Sequence, residues 1–156
     1  MTFISWNIDS INAALTSTSD RALLSQAVLK KLGGYNADVI AIQETKLPAE
    51  GPNPKHLELL SQYFPGYKIE WLSSVPPAKK GYAGTMILYK EGMTASREVP
   101  RLGAPDTMDD EGRLLTLVVV CRCSLQTAGY HHELFLETFP EYIGNGPHWV
   151  GNHLCQ

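Results

Sequence analysis

The sequence predicts an α/β fold in which a mixed β-sheet carries helices on one face. Apolar runs typical of strands alternate with segments whose apolar residues recur at helical spacing, and the order along the chain is β-α-β-α-β-β-β. The run Val39–Ile42 is apolar at every position, as is expected of a strand covered on both faces. A chain of 156 residues is long enough for one domain with its own hydrophobic core.

Five segments predict the β-strands of this sheet. Each is rich in apolar, β-branched or aromatic residues, and the later ones are separated by loops that contain proline or glycine. The predicted strands are Thr2–Asn7, Ala37–Ile42, Tyr67–Leu72, Tyr82–Tyr89 and Arg113–Val120.

Two segments predict α-helices with defined ends. The first begins after Ser19, a residue suited to the N-cap, and closes at Gly33-Gly34. The second begins at Asn53-Pro54, where an N-cap residue precedes a proline at the first helical position. The apolar residues at helical spacing, which predict the buried faces, are Leu23, Leu24, Ala27, Val28 and Leu32 in the first helix and Leu57, Leu60 and Phe64 in the second.

Charge and hydropathy limit the possible partners. The formal net charge is -3, so binding to nucleic acid would require a local basic patch rather than bulk positive charge. Met1–Asp9 lacks the basic start and apolar stretch of a signal peptide, and the apolar run Leu114–Cys121 is far shorter than the ~20 residues that span a bilayer. We therefore expect a cytoplasmic protein with no membrane partner.

The composition changes after residue 120. All three cysteines and four of the five histidines lie beyond it, and residues 121–156 contain no lysine and no aspartate. The prediction is a domain over residues 1–120 followed by a divergent tail, 121–156, produced by a reading-frame shift or a truncated gene; a domain fusion is the alternative. A small zinc module is a further alternative, although the C-x-C spacing is tighter than zinc sites use. Its candidate ligands are Cys121, Cys123, His131, His132, His148, His153 and Cys155.

Polar side chains follow the first two predicted strands. Glu44 comes directly after the buried second strand, at the sheet edge where open α/β sheets bind ligands. A carboxylate held by a rigid strand suits Mg²⁺, which accepts one or two carboxylates and keeps several waters. Asn7 and Asp9 end the first strand, where Asn7 could bind a phosphate oxygen or form an Asx turn. For Glu44, the simpler alternative is a strand-end carboxylate without a ligand.

Together these segments resemble the exonuclease III / AP endonuclease family of the endonuclease/exonuclease/phosphatase superfamily. Ser5–Asp9 is similar to the first-strand motif of that family, and Ile42–Lys46 is similar to its metal-carboxylate motif. The resemblance implies that Glu44 binds Mg²⁺ (or Mn²⁺) directly and that Asn7 and Asp9 belong to the metal site. It also implies one half of a four-layer α/β sandwich, a duplex DNA substrate with abasic sites or 3′ ends, and no obligate protein partner.

Two shorter segments extend the resemblance to a surface that faces DNA. Lys79–Thr85 is similar to a family loop and strand along the DNA groove, and Glu111–Arg113 is similar to a hairpin whose arginine contacts the backbone. Without the resemblance, the first would be a glycine turn with solvated lysines and the second only a turn. The residues that the resemblance places at DNA are Lys80, Gly81, Tyr82 and Arg113.

The resemblance covers roughly Met1–Leu117 and omits part of the family's site. A Tyr-Thr-Pro-Asn motif, a Gly-Asp-x-Asn motif and a late Asp-His pair are absent, and the last aspartate is Asp110. No catalytic residue that activates water is therefore assigned, and one apolar face of the sheet is expected to lack its cover. The predicted function is an incomplete Mg²⁺-dependent DNA repair nuclease; the alternative is an inactive fragment that at most binds duplex DNA.

Overall fold

A computed structural model describes residues 1–97, 109–121, 132–138 and 149–154 of the chain. The helices among them are α1 (Ile11–Thr16), α2 (Asp20–Gly34) and α3 (Pro54–Tyr63). The strands are β1 (Phe3–Asn7), β2 (Val39–Gln43), β3 (Tyr67–Leu72), β4 (Thr85–Lys90), β5 (Thr94–Arg97), β6 (Leu117–Cys121), β7 (His132–Thr138) and β8 (Trp149–Leu154).

The first sheet is mixed and has the strand order β1-β2-β4-β3. β1 and β2 run parallel, with Asn7 opposite Gln43, so that both strands end at the same edge. β4 is antiparallel to β2 and places Thr85 opposite Gln43. This arrangement brings the polar ends of two strands, and the beginning of a third, to one edge of the sheet.

The helices cover one face of this sheet. The core on that side joins residues of β2 and β4, such as Ile40, Ile42 and Leu88, to apolar residues of the helices. Those helical residues include Ile11, Leu29 and Leu60, all fully buried. The predicted α/β class, with a mixed sheet and helices on one face, is therefore confirmed.

A second sheet covers the opposite face. It is antiparallel, with the order β5-β6-β7-β8. Leu117 and Val119 of β6, and Leu115 just before it, are fully buried against Val39 and neighbouring residues of the first sheet. The expectation of an uncovered apolar face is therefore wrong, because the run read as one more strand of the first sheet instead belongs to a second sheet packed on it.

The buried face of α2 also differs from the predicted one. Of the five apolar residues expected there, Leu32 alone is buried, and Leu24 is 69% exposed. The cause is the close approach of α2 to α3 at Gly33, where an added Cβ would lie 2.0 Å from the carbonyl oxygen of Tyr63. This approach sets the rotation of α2 about its axis, since residues three, four and seven apart share a helix face. The residues that α2 buries are Ala22, Leu29 and Leu32.

Both predicted N-caps are present. The Ser19 hydroxyl accepts a hydrogen bond from the amide of Ala22 at 3.3 Å. The Asn53 side chain accepts one from the amide of His56 at 2.9 Å, and His56 Nδ1 accepts one in return from the amide of Asn53 at 3.3 Å. This reciprocal pair is a capping box, which satisfies amides that the first turn of a helix leaves unpaired.

β7 and β8 lie in the segment predicted as a divergent tail, and only their backbone pairing is described. The origin of that segment remains a prediction. No helix in the described part of the chain is long and apolar enough to cross a membrane.

Candidate metal centre

The site is built at the edge where β1 and β2 end. Asn7 closes β1 and lies opposite Gln43, whose Nε2 lies 3.4 Å from the Ser5 hydroxyl, so these side chains share the face toward the second sheet. Glu44 follows Gln43 directly. Asn7 and Glu44 therefore lie at one edge of neighbouring parallel strands, and their joint role in a metal site stays a prediction.

The backbone at Glu44 adopts a conformation that most residues avoid. Its φ is 56°, and Lys46, two residues on, has a φ of 51°. Hydrogen bonds from Thr45 N to the Gly84 carbonyl (3.1 Å) and from Lys46 N to the Ala83 carbonyl (2.7 Å) hold this turn against the start of β4. Left-handed conformations of residues other than glycine cost on the order of 1–3 kcal/mol and cluster at functional sites. The strain at Glu44 therefore marks this turn as a candidate site.

The Glu44 carboxylate meets a cation from the second half of the chain. Arg113 Nη1 donates a hydrogen bond to Glu44 Oε1 at 2.7 Å, and Arg113 Nε donates one to Glu111 at 2.5 Å. The guanidinium carbon also lies 5.5 Å from the centre of the Tyr82 ring. Burial works to lower the pKa of Arg113, but the hydrogen bonds and charges of the two carboxylates outweigh it and raise the pKa. The Arg113 guanidinium therefore lies between two anions and an aromatic face.

Asp9 lies in a second cluster of charges. Its φ is 58°, and its amide donates to Asn7 Oδ1 at 3.0 Å, which is the Asx turn weighed as the alternative for Asn7. Lys46 Nζ lies 2.6 Å from the Asp9 carboxylate, and Arg21 also binds it. The hydrogen bond from Lys46 is the main cause that lowers the pKa of Asp9. Asp9 is thus already paired with two cations, whereas Glu44 is paired with one.

An open groove of about 400 Å³ lies over Glu44. Gly81, with a φ of 61°, brings the backbone of the loop close to the carbonyl of Lys46, since a Cβ there would lie 3.4 Å away. Lys80 is exposed but does not line the groove. The lining residues are Glu44, Lys46, Lys79, Gly81, Tyr82 and Arg113. Lys46 and Arg113 are paired with carboxylates, so Lys79 is the one lining cation for which the described residues show no ion pair.

Sequence reasoning missed two members of this arrangement. Lys46 lines the groove beside Lys79, and Arg21 pairs with Asp9. Lys46 belongs to a segment that carried the resemblance, so that motif was a signal for it. Arg21 had no signal, because the contact depends on how α2 packs beside the end of β1.

The donor set can be compared with what Mg²⁺ requires. In the described segments, no three His, Cys, Asp or Glu side chains lie close enough together to bind one metal ion. Mg²⁺ does not need one, since one or two carboxylates with waters suffice. Among the described residues, Glu44 Oε2 has no hydrogen-bond partner, and Glu44 is 20% exposed to the groove. These donors fit Mg²⁺. The zinc candidates Cys123, His131, His148 and Cys155 lie outside the described residues.

Comparison with known proteins identifies the family of this chain. Residues 4–150 match the endonuclease/exonuclease/phosphatase family, and the chain belongs to that family. Members of this family generally use a divalent metal. The chain is 62% identical over 117 residues to exodeoxyribonucleases of Streptococcus pneumoniae strains TIGR4 and R6, which covers 75% of the chain. It spans 42% of the length of those relatives.

A solved structure supports the fold. The catalytic domain of Xenopus laevis APE2 superposes with a TM-score of 0.50 at 21% identity, covering 86% of this chain and 43% of that domain. At this identity the likeness concerns the fold alone. The family match over residues 4–150 confirms, at the level of the family, the resemblance drawn from the two strand-end motifs.

Proposed function

We propose that this chain carries the metal carboxylate and part of the DNA-binding groove of a Mg²⁺-dependent DNA repair nuclease of the exonuclease III / AP endonuclease type. The observation that carries the proposal is Glu44, held in a strained conformation at a strand end and facing a groove lined by three cations. Because the chain spans 42% of the length of its curated relatives, the activity of the whole protein is part of the proposal.

The proposed reaction is hydrolysis of a phosphodiester bond in duplex DNA, beside an abasic site or at a 3′ end. A bound Mg²⁺ or Mn²⁺ ion would neutralise the negative charge that develops on the phosphate and the leaving oxygen. Glu44 holds the metal through its carboxylate. Asn7 ends the neighbouring strand β1 and Asp9 follows shortly after it, and both are the proposed additional members of the metal site.

Cations around the groove position the DNA backbone in this proposal. Lys79 and Arg113 line the groove with Tyr82, and Lys80 is exposed beside it. Their positive charges suit phosphate oxygens, and Gly81 lets the backbone approach without a side chain in the way. These contacts fix register on the duplex and carry no sequence preference by themselves.

The water-activating part of the site has no counterpart in the sequence, which lacks the Gly-Asp-x-Asn motif and the late Asp-His pair. General-base assistance contributes roughly 10²–10⁴-fold to such reactions. We therefore propose that residues 121–156 are a divergent tail and that this chain by itself cleaves DNA negligibly. The second candidate function is binding of duplex DNA without cleavage, which the three groove cations favour. The location proposed for the protein is the cytoplasm.

The test uses the purified 156-residue chain and a labelled duplex that contains one abasic site. Cleavage is measured with Mg²⁺ and with Mn²⁺, and binding is measured by gel shift with Ca²⁺. We expect a shift without cleavage, and a weaker shift for Lys79→Gln. Robust cleavage abolished by Glu44→Gln would show that the residues present suffice for catalysis. Absence of a shift with any duplex would refute the binding role of the groove.

A further inference from the structure

The contact between Arg113 and Glu44 places a cation on the carboxylate proposed to bind the metal. Both side chains are largely shielded, with exposed fractions of 26% for Arg113 and 20% for Glu44. The Nη1–Oε1 distance of 2.7 Å is that of a charge-assisted hydrogen bond. A divalent cation on the same carboxylate would lie within a few ångströms of the guanidinium, where like charges repel strongly in a partly shielded site.

The backbone on both sides of this contact is held in place. The Arg113 carbonyl accepts a hydrogen bond from the Thr85 hydroxyl at 3.2 Å. Gly112 lies against Ser73, where a Cβ would come within 2.7 Å of its carbonyl carbon, and its φ of 67° is unsuited to other residues. Glu44 is fixed by the hydrogen bonds of its turn to β4. Because these contacts hold the backbone at both positions, relief of the repulsion requires a side chain to turn, and the longer Arg113 side chain has the greater freedom to do so.

The surroundings of Arg113 offer another position for its guanidinium. Glu111 and the ring of Tyr82 both contact it, and neither contact involves Glu44. Tyr82 is 44% exposed and lines the same groove as Lys79. An arginine that leaves Glu44 while keeping these contacts would still present donors to the groove, where they could bind a phosphate.

We propose that Arg113 occupies the metal carboxylate in the metal-free protein and competes with the divalent cation for it. Metal binding displaces the guanidinium from Glu44 and makes it available to a DNA phosphate, and a bound phosphate in turn frees Glu44 for the metal. The two ligands therefore favour each other's binding through one side chain, as reciprocity of coupled sites requires. This inference rests on the proposed function of Glu44.

The experiment measures Mn²⁺ binding to the intact 156-residue chain without DNA, by electron paramagnetic resonance of the free ion. Arg113→Gln is expected to bind Mn²⁺ about tenfold more tightly than the wild type, which corresponds to about 1.4 kcal/mol. The matched control is Lys79→Gln, which removes the same charge from the same groove without a contact to Glu44. It is expected to change the affinity less than twofold. A structural defect would not raise the affinity, so the direction of change separates competition from damage.

Further arms keep the outcomes distinct. Arg113→Lys keeps the charge but loses the planar donor pair, and it is expected to bind Mn²⁺ two- to fourfold more tightly than the wild type; circular dichroism checks the fold of each variant. If Arg113→Gln binds more weakly than the wild type, or no more tightly than Lys79→Gln, the competition is refuted while the metal site stands. If Glu44→Gln leaves Mn²⁺ binding unchanged, the metal site itself is refuted, and the competition with it.

Discussion

Two adjacent glycines near the end of α2 provide a test of how this helix packs. At Gly33, an added Cβ would lie 2.0 Å from the carbonyl oxygen of Tyr63, which belongs to the backbone of α3 and cannot swing away. At Gly34, an added Cβ meets nothing within 4 Å. Both residues are helical, so replacement by alanine gives each the same gain in helix propensity, about 0.5–1 kcal/mol. The two substitutions therefore differ only in what the new methyl group meets.

The expected magnitudes follow from that difference. Gly34→Ala should raise the free energy of unfolding by at most about 0.5–1 kcal/mol, because Gly34 is the last residue of α2. Gly33→Ala should carry in addition an overpacking cost of about 1–3 kcal/mol, because α2 and α3 must move apart. A difference of about 2 kcal/mol between the variants corresponds to a difference in Tm of roughly 4–8 °C for a domain of this size.

Thermal unfolding followed by circular dichroism measures this difference, with the wild-type chain as the reference. If Gly33→Ala unfolds at the same temperature as Gly34→Ala or above it, then α2 does not approach α3 as described. That result would support the buried face of α2 predicted from the sequence, in which Leu24 and Val28 are buried. Replacing Leu24 by serine would then be strongly destabilising.

Three further predictions concern the core, the capping box and the tail. Leu117→Ala should lower the free energy of unfolding by about 2–5 kcal/mol in urea denaturation, because Leu117 is fully buried between the sheets; a loss below 0.5 kcal/mol would argue against the second sheet. Burial lowers the pKa of His56 below its ordinary 6.5, so its contribution to stability is complete above pH 6.5 and is lost as the pH falls below it. His56→Gln can keep the capping box, and its Tm should fall less steeply than that of the wild type between pH 7 and 5; parallel curves would contradict this. In the coding DNA, one of the two alternative frames beyond the Leu117 codon should encode a Tyr-Thr-Pro-Asn-like motif and then Gly-Asp-x-Asn; their absence from both frames would rule out a frame shift.

The features that the sequence predicted correctly depend on short-range chemistry. The N-caps at Ser19 and Asn53 follow from side-chain oxygens that pair with amides two or three residues away. The end of β2 before Glu44 follows from an apolar run that gives way to polar residues. Parallel pairing of β1 and β2 then brings Asn7 and Glu44 to one edge, so their placement in the sheet could be predicted together with the fold class, while their roles in a metal site stay a prediction.

The features that could not be predicted depend on contacts between distant segments. The rotation of α2 about its axis depends on the close contact of Gly33 with α3. A glycine within a helix does not indicate, from the sequence alone, which element it will contact. β5 escaped notice because Thr94–Arg97 is short and largely exposed, without an apolar run. The ion pair between Arg113 and Glu44 joins residues 69 positions apart, and no local sequence pattern predicts it.

The left-handed conformation of Glu44 also governs which residues evolution or a mutagenesis library could place at that position. Asparagine and glycine adopt this conformation readily, whereas valine and isoleucine do so only with strain. A saturation library sorted first for folded protein and then for metal binding would therefore give two different sets of residues at position 44. Amino acids present in the first set and absent from the second are compatible with the shape of the turn but do not support metal binding. They would therefore show what the carboxylate contributes to metal binding.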